Sequence, residues 1–350
     1  MIIKDKFNTS FRPLVSILIP TYNITKYFND TLKSINNQTY KNIEVIISDD
    51  NSKEFFYNKL IKTTEKFPNL NIKIYHQQEN KGVAFARDFL VEKANGEYIF
   101  FLDDDDRIYS RNTIWNIVSD LKPDTEIYAG NFVFAFDTIP YHSNRSNYVN
   151  YSIYNSSKKL NDSVNYYLEK ITFTWGNLFK KDFLIKHNIR FNDSGLRIFE
   201  DIATLGKIFF LSSKFQHTNK PTVRYLRRRN SLSNLSIEKF NQKMEFLEHA
   251  YKINIQQISE ILQKENNPNS KEIITKLHDA KFIEFLNLLT QHYLKSSKVK
   301  RNRGIVDKYI SDNILRIKNE VFQYAKLKFF SKNMYYLPIF NKIKKILNEK

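Results

Sequence analysis

Cysteine is absent from all 350 residues. That excludes disulfides and thiolate metal sites, and it fits a reducing compartment. Glycine (7) and proline (8) are scarce, so long flexible linkers are not expected. No run approaches the roughly 18 apolar residues that cross a membrane as a helix. The opening MIIKDKFNTSFRP lacks the apolar core of a secretory leader, so no signal peptide is expected. Repeats and low-complexity tracts are missing. His187, His217, His249 and His278 are scattered, without metal-ligand spacing, and read as structural.

What is present is a globular composition. Hydrophobic residues make up 41%, enough for a packed core. The length suits one large domain or two ordinary ones. The net charge of +18 points to anionic partners: nucleic acid, an acidic lipid surface or phosphorylated substrates. A Lys-, Asn- and Ile-rich composition gives the same excess with no partner at all.

The first hundred residues alternate between short apolar runs and helical spacing. Strands are expected at LVSILIP (14–20), IEVIIS (43–48), NIKIYH (71–76) and EYIFFL (97–102). Helices are expected near 26–37, 53–67 and 82–95, the last stopped by Gly96. This alternation predicts βαβ units and a mostly parallel sheet, whose buried strands read as continuous apolar runs. From 127 to 235 the order is mixed, beginning with strand-like IYAGNFVFAF (127–136). Beyond about 236 long helical patterns dominate, which predicts an α/β domain over 1–235 and a helical region over 236–350.

Ligands of open α/β sheets bind outside the carboxyl ends of the strands. Unusual polar residues follow each of the four expected strands: PTYN (20–23), SDDNS (48–52), QENKGVAFARD (78–88) and DDDD (103–106). Loops carry Asp and Asn for turn reasons alone, but four such clusters along one sheet edge are hard to reach by chance. Four adjacent carboxylates repel one another unless a cation sits among them. Mg²⁺ and Mn²⁺ suit such a loop, because they take carboxylates together with substrate phosphate oxygens.

SILIPTYN, VIISDDNS, NKGVAFARD and GEYIFFLDDDD together resemble the ordered signature of family 2 glycosyltransferases, across about residues 14–235. The resemblance implies a GT-A fold, Rossmann-like and mostly parallel, and an inverting transfer from a nucleotide-diphospho sugar, in the manner of bacterial surface-polysaccharide enzymes. It implies Asp105 as direct ligand of Mn²⁺ or Mg²⁺, with Asp103 meeting the ribose or supporting the metal through water, and Asp104 at the variable position. Asp49 would accept the imide N–H of uracil, which favours a UDP-sugar. Tyr22 could stack on the base, with Thr21 or Asn23 lining its pocket. Asp50 either joins the nucleotide site or, with Ser52, caps the following helix. Arg87 would lie near the nucleotide and the aspartates, and Lys81 could meet phosphate. Gly82 opens a helix whose N-terminus attracts anions.

Inverting transfer needs a base for the acceptor hydroxyl. GLRIFEDIATLGKIFF (195–210) supplies Asp201 for that role by position in the family pattern, with Glu200 orienting it or binding acceptor. An acidic first turn also complements a helix dipole with no further role. Trp175, Asn177 and Lys180 are candidate acceptor contacts. In RYLRRRNSLSN (224–234), Arg228 and Ser231 are expected to close over the diphosphate, since guanidinium groups hold phosphate bidentately.

The C-terminal stretch 324–350 interleaves lysines with Phe, Tyr, Leu and Ile. It suits an anionic membrane interface, or a helix packing on the main domain. The expected partners are therefore a nucleotide-sugar donor and a glycan or lipid-linked glycan acceptor, in the cytoplasm or at the inner face of the membrane. A sugar nucleotidyltransferase would need a glycine-rich triphosphate loop after the first strand, and PTYNITKYF has none. A nucleic-acid or anionic-surface binder would draw on the charge alone, with steep salt dependence.

Overall fold

The computed structural model describes residues 11–136, 162–169, 173–227, 237–295 and 300–323. Packing divides the chain into two compact units. The first comprises Met1–Asn165 and Thr172–Arg227, the second Tyr166–Ile171 and Arg228–Lys350.

The first unit is built on one eight-stranded sheet. Its parallel part consists of β1 (Val15–Thr21), β2 (Ile43–Asp49), β3 (Asn71–His76) and β4 (Tyr98–Phe101). β1 is buried along its whole length, as expected of a strand covered on both faces. Helix α1 (Phe28–Asn36) turns Phe28, Leu32 and Ile35 inward, an i, i+4, i+7 stripe. Helix α2 (Glu54–Thr64) follows β2, and α3 (Val83–Lys93) packs against β1 and β2.

Beyond β4 the sheet becomes mixed. A short β5 (Arg107–Ile108) precedes helix α4 (Thr113–Asp120), and β6 (Ile127–Phe136), helix α5 (Ser163–Glu169), β7 (Leu178–Lys180), helix α6 (Lys181–Lys186), helix α7 (Glu200–Leu211) and β8 (Phe215–Arg227) complete the order. The strand order is β3-β2-β1-β4-β7-β6-β8-β5. β7 runs antiparallel to both β4 and β6, while β6 and β8 pair in parallel. β8 begins at Phe215, well before the apolar residues near Tyr225. It takes up polar FQHTNK and Pro221, which sits opposite Asn131 at a break in register. Proline is tolerated in a sheet at such irregularities.

Glu44 pins the strand starts, at the rim opposite the aspartates. Its buried carboxylate accepts hydrogen bonds from Ser16 Oγ (2.6 Å), the Asn95 amide (2.6 Å) and the Gly96 amide (3.2 Å). Burial alone would raise its pKa; the bonds from Ser16 and Asn95 outweigh that and hold it below the usual range. Gly96 is required here for closeness. A Cβ would stand 2.5 Å from Ser16 Oγ and 2.7 Å from Ser16 N.

The second unit is helical, with α8 (Ile237–Lys264), α9 (Ser270–Lys295) and α10 (Lys300–Glu320). α8 buries Met244, Leu247, Tyr251, Ile258 and Leu262, spaced by three, four or seven, as an amphipathic face demands. Lys281 is buried and carries its charge inside. Its ammonium pairs with Glu284 at 2.9 Å and lies 3.8 Å from the Tyr167 ring centroid. Among the described residues no helix is long and apolar enough to cross a membrane.

Candidate active site

The carboxyl ends of β1, β2 and β4 meet because the strands are parallel neighbours. Thr21 pairs with Asp49 across β1 and β2, and Leu18 with Phe101 across β1 and β4. The chain leaves β2 and β4 in opposite lateral directions from β1. This is the switch point at which open α/β sheets bind ligands.

At the end of β2 both carboxylates are engaged. Asp49 has no exposed surface. Its Oδ1 accepts from Ser52 Oγ, and its Oδ2 accepts from the Ser52 amide (3.1 Å) and faces His76 Nδ1 (2.7 Å). Asp50 accepts the Lys81 amide on Oδ1 (2.9 Å) and the Gly82 amide on Oδ2 (2.8 Å). It therefore caps the loop entering α3, not the helix that follows β2. Gly82 holds φ +91° there, a backbone region that side chains disfavour. The Lys81 ammonium pairs with Glu79 (2.9 Å) over the Phe85 ring.

The loop after β1 is tied to that of β2. The Asn23 amide donates to Ser52 Oγ (2.7 Å), and Asn23 Oδ1 accepts the Lys53 amide (3.1 Å). Between them Tyr22 stands 51% exposed. Thr21 Oγ1 donates to Asp104 Oδ2 (2.5 Å), and Thr31 Oγ1 donates to the Asp104 carbonyl (3.1 Å). Asp104, at the variable position of the motif, is thus the residue that fastens the acidic loop to β1 and α1.

The other three aspartates differ in environment. Asp103 is partly exposed and faces Arg87 Nη2 at 3.3 Å. Asp105 is 9% exposed. Asp106 is fully buried; Oδ1 accepts the Leu226 amide (2.8 Å), and among the described residues Oδ2 has no hydrogen-bond partner. Burial, with the Asp105 and Asp103 charges next, pushes the Asp106 carboxyl well above the usual range, against the pull of the Leu226 bond. Among the described residues no group of three carboxylate or histidine side chains is gathered as a complete metal site. Hard oxygen donors from one or two carboxylates, completed by phosphate, are the usual Mg²⁺ arrangement, and the side chains of Asp103 and Asp105 fit it.

Arg87 on α3 joins this loop to α7. It is buried and pairs through Nη1 with Glu200 and through Nη2 with Asp103. Glu200 is 4% exposed and Asp201 half-buried. They open α7 directly after Phe199, whose backbone is left-handed at φ 63°. Asp88, also on α3, accepts the Phe191 (2.8 Å) and Asn192 (3.0 Å) amides, which anchors the segment leading into α7. The structure thereby brings together Thr21, Asp103, Asp104, Arg87 and Glu200, with Asp201 adjoining them in the chain.

The three expected acceptor contacts are not gathered in the same way. Trp175 is 6% exposed and stacks on Phe173 (4.5 Å) and Tyr225 (5.0 Å). Asn177 is buried and spends its amide on the Gly130 amide and the Phe173 carbonyl. Lys180 pairs in register with Tyr98, at the far end of β4 from the aspartates, and its ammonium faces Asp124 at 3.6 Å. Arg228, Ser231 and the stretch 324–350 lie outside the described residues. Sequence reasoning passed over Ser52 and Thr31 as site-builders and His76 altogether. Only its place at the end of a strand, opposite Asp49 in register, could have marked His76.

A sheet with this order, an acidic loop closing its fourth strand and a helix start bridged to that loop by an arginine form the GT-A arrangement of glycosyltransferases. The chain belongs to glycosyltransferase family 2: the model of Glycosyl transferase family 2 matches residues 16–200. A processive diacylglycerol beta-glycosyltransferase of Mycoplasma genitalium is 26% identical, over 91% of this chain and 96% of its own length. The minor teichoic acid biosynthesis protein GgaB of Bacillus subtilis is 27% identical over 83% of this chain, which spans only 29% of that longer protein. Among solved structures, TarS 1–349 of S. aureus shares the fold, with TM-score 0.59 and 17% identity, over 95% of this chain and 87% of that one. A structure of the same TarS segment with UDP-GlcNAc gives TM-score 0.51 at 18% identity, over 84% of this chain and 89% of that one.

Proposed function

We propose that the protein is a metal-dependent, inverting glycosyltransferase that moves a sugar from a UDP-sugar to a hydroxyl of a growing surface glycan, including one carried on a lipid. The observation that carries this is the Arg87 bridge. One buried guanidinium ties the acidic loop after β4 to the first turn of α7, so the donor side and the candidate base are held as one body. The names of the relatives agree in kind. TarS is known in complex with UDP-GlcNAc, and the Mycoplasma relative is a beta-glycosyltransferase of diacylglycerol.

Each residue then has a task. The diphosphate would lie at the β1–β4 edge, with Tyr22 as the exposed face for the base. A divalent cation on Asp105 and Asp103, completed by the diphosphate, would neutralise the charge of the departing nucleotide. Asp104 and Thr21 fix the loop, and Arg87 orients Asp103. Asp201 takes the proton from the acceptor hydroxyl as its oxygen attacks the anomeric carbon, from the face opposite the leaving diphosphate. Glu200, turned to Arg87, positions the helix start. Arg228 and Ser231 are proposed to close over the diphosphate, and 324–350 to contact an anionic membrane. The helical unit is proposed to serve acceptor or membrane association.

The test is a screen of UDP-sugars for transfer or hydrolysis with Mn²⁺ or Mg²⁺, on glycan and diacylglycerol acceptors. Asp201→Asn should retain UDP affinity and lose transfer by at least about a hundredfold, the usual share of a general base. An asparagine variant that turned over at the normal rate would remove Asp201 from the mechanism.

A further inference from the structure

Helix α2 presents a face that the donor chemistry leaves unused. The helix starts just past the carboxyl end of β2, and α1 packs beside it. Leu60 and Thr63 turn inward. On the outer side Phe55, Lys59 and Lys62 fall at i, i+4 and i+7, one ridge of the helix. Phe55 is 72% exposed, the most exposed large apolar side chain among the described residues. Its ring stands edge-on to Phe56, with centroids 5.3 Å apart. A single exposed apolar residue needs no explanation, but this one has charged company. Lys53 precedes the helix, and Lys66 extends the ridge just past its end. Among the described residues none of these four lysines pairs with a carboxylate. Lys73, Lys81 and Lys93, by contrast, pair with Glu44, Glu79 and Glu92. The acidic residues of 53–66 are Glu54 and Glu65, and they lie on a separate line about 100° round the helix.

We infer that this face of α2 docks on an anionic lipid bilayer, with Phe55 entering the boundary between headgroups and acyl chains and the four lysines meeting lipid phosphates. An apolar tip beside unpaired cations matches a surface that is anionic outside and apolar within. Aromatic side chains are favoured at that depth, and lysines are drawn to the negative surface while their stems cover apolar area. The contact belongs to the α/β unit, so it is separate from any made by 324–350. It places the membrane at the rim of the sheet where a lipid-borne hydroxyl would have to arrive. It holds whichever nucleotide-sugar is the donor.

The chain has no cysteine, so Phe55→Cys and Ile185→Cys each accept one environment-sensitive fluorophore on the full chain. Ile185 is the control: it is 59% exposed, on α6 at the opposite rim of the sheet. The probes are vesicles of phosphatidylcholine alone and of equal parts phosphatidylcholine and phosphatidylglycerol. Thermal melts check that each variant is folded. The label at position 55 should shift to the blue with the anionic vesicles and not with the neutral ones, while the label at 185 keeps its aqueous emission. In sedimentation of unlabelled protein, Lys59→Gln/Lys62→Gln should weaken partition into anionic vesicles by roughly ten- to thirtyfold, at about fivefold per lysine. Phe55→Ser should weaken it by about tenfold. A label at 55 that stays in water on protein that sediments with the vesicles would overturn the inference, since another part of the chain then makes the contact. Equal shifts at 55 and 185 would overturn it as unoriented adsorption. Failure to bind anionic vesicles would also overturn it, and heparin binding through the same lysines would then mark a soluble polyanion as the partner. No outcome depends on nucleotide binding, so the donor assignment stands or falls separately.

Discussion

Replacing Arg87 by methionine removes the charge that holds two acidic elements together and keeps most of the volume. Arg87 and Glu200 are each 4% exposed, so the substitution strands Glu200 as a buried, unpaired carboxylate. Breaking a buried pair from one side costs about 3–5 kcal/mol. The second contact, to Asp103 at 3.3 Å with that side chain 32% exposed, adds no more than about 1 kcal/mol after solvent screening. At roughly 2–4 °C per kcal/mol for a unit of this size, the melting temperature of the α/β unit should fall by about 6–24 °C. The chain holds 2 tryptophans, Trp115 and Trp175, and both lie in that unit. Their fluorescence in a urea titration therefore reports its unfolding apart from that of the helical unit, which would otherwise confuse a two-state fit. The double variant Arg87→Met/Glu200→Gln carries no buried charge, so it should be more stable than Arg87→Met alone. The cycle should show a coupling of about 2 kcal/mol or more. A single variant within about 1 kcal/mol of wild type, or strictly additive effects, would refute the idea that Arg87 holds α7 to the acidic loop.

Two further stability outcomes follow from the same packing. Gly96→Ala forces a Cβ to 2.5 Å from Ser16 Oγ and 2.7 Å from backbone, and the urea midpoint should drop by about 1–3 kcal/mol; an unchanged midpoint would show that this rim is loose. His278 is buried, and burial, aided by the Lys318 charge, lowers its pKa to about 4 from 6.5. The unfolded chain therefore binds a proton between those values that the folded chain refuses, so stability is lost as pH falls from about 6.5 to 4. At about 1.4 kcal/mol per unit, the loss reaches about 3 kcal/mol. His278→Leu should flatten that acid limb in circular-dichroism melts at pH 7 and 4.5. An identical slope in both proteins would remove His278 as its source.

The parallel half of the sheet was legible because β1, β2 and β4 are buried and mostly apolar, while the edge strand β3, largely exposed at alternate residues, still shows the period of two that a strand imposes. The order of the four polar clusters likewise placed the edge that gathers Thr21, Arg87 and the aspartates. What stayed hidden depends on contacts distant in sequence. Arg87 and Glu200 are 113 residues apart, and no spacing rule joins them. Asp50 could be read from the sequence as a nucleotide contact or as a cap for the helix after β2; it holds amides of the next loop, because parallel strands bring those two loops side by side. Trp175 has the chemistry of a sugar platform, but Phe173, Tyr225 and Phe132 surround it in the aromatic cluster. β8 was obscured by its own polarity and by Pro221, both tolerable where the register breaks. Asp106 shows the reverse case. Four like charges in a row are visible in the sequence, but only the fold shows that one is sealed inside with an oxygen left over.

The acidic loop after β4 is proposed to hold a divalent cation against the diphosphate of a bound nucleotide. Calorimetry of UDP with wild type and Asp105→Ala, in Mn²⁺ and again in EDTA, tests it most directly. The account predicts UDP binding that needs the metal and weakens at least about tenfold when Asp105 is lost. Equal UDP affinity in EDTA and in Mn²⁺, or a folded Asp105→Ala that binds metal and UDP like wild type, would contradict it.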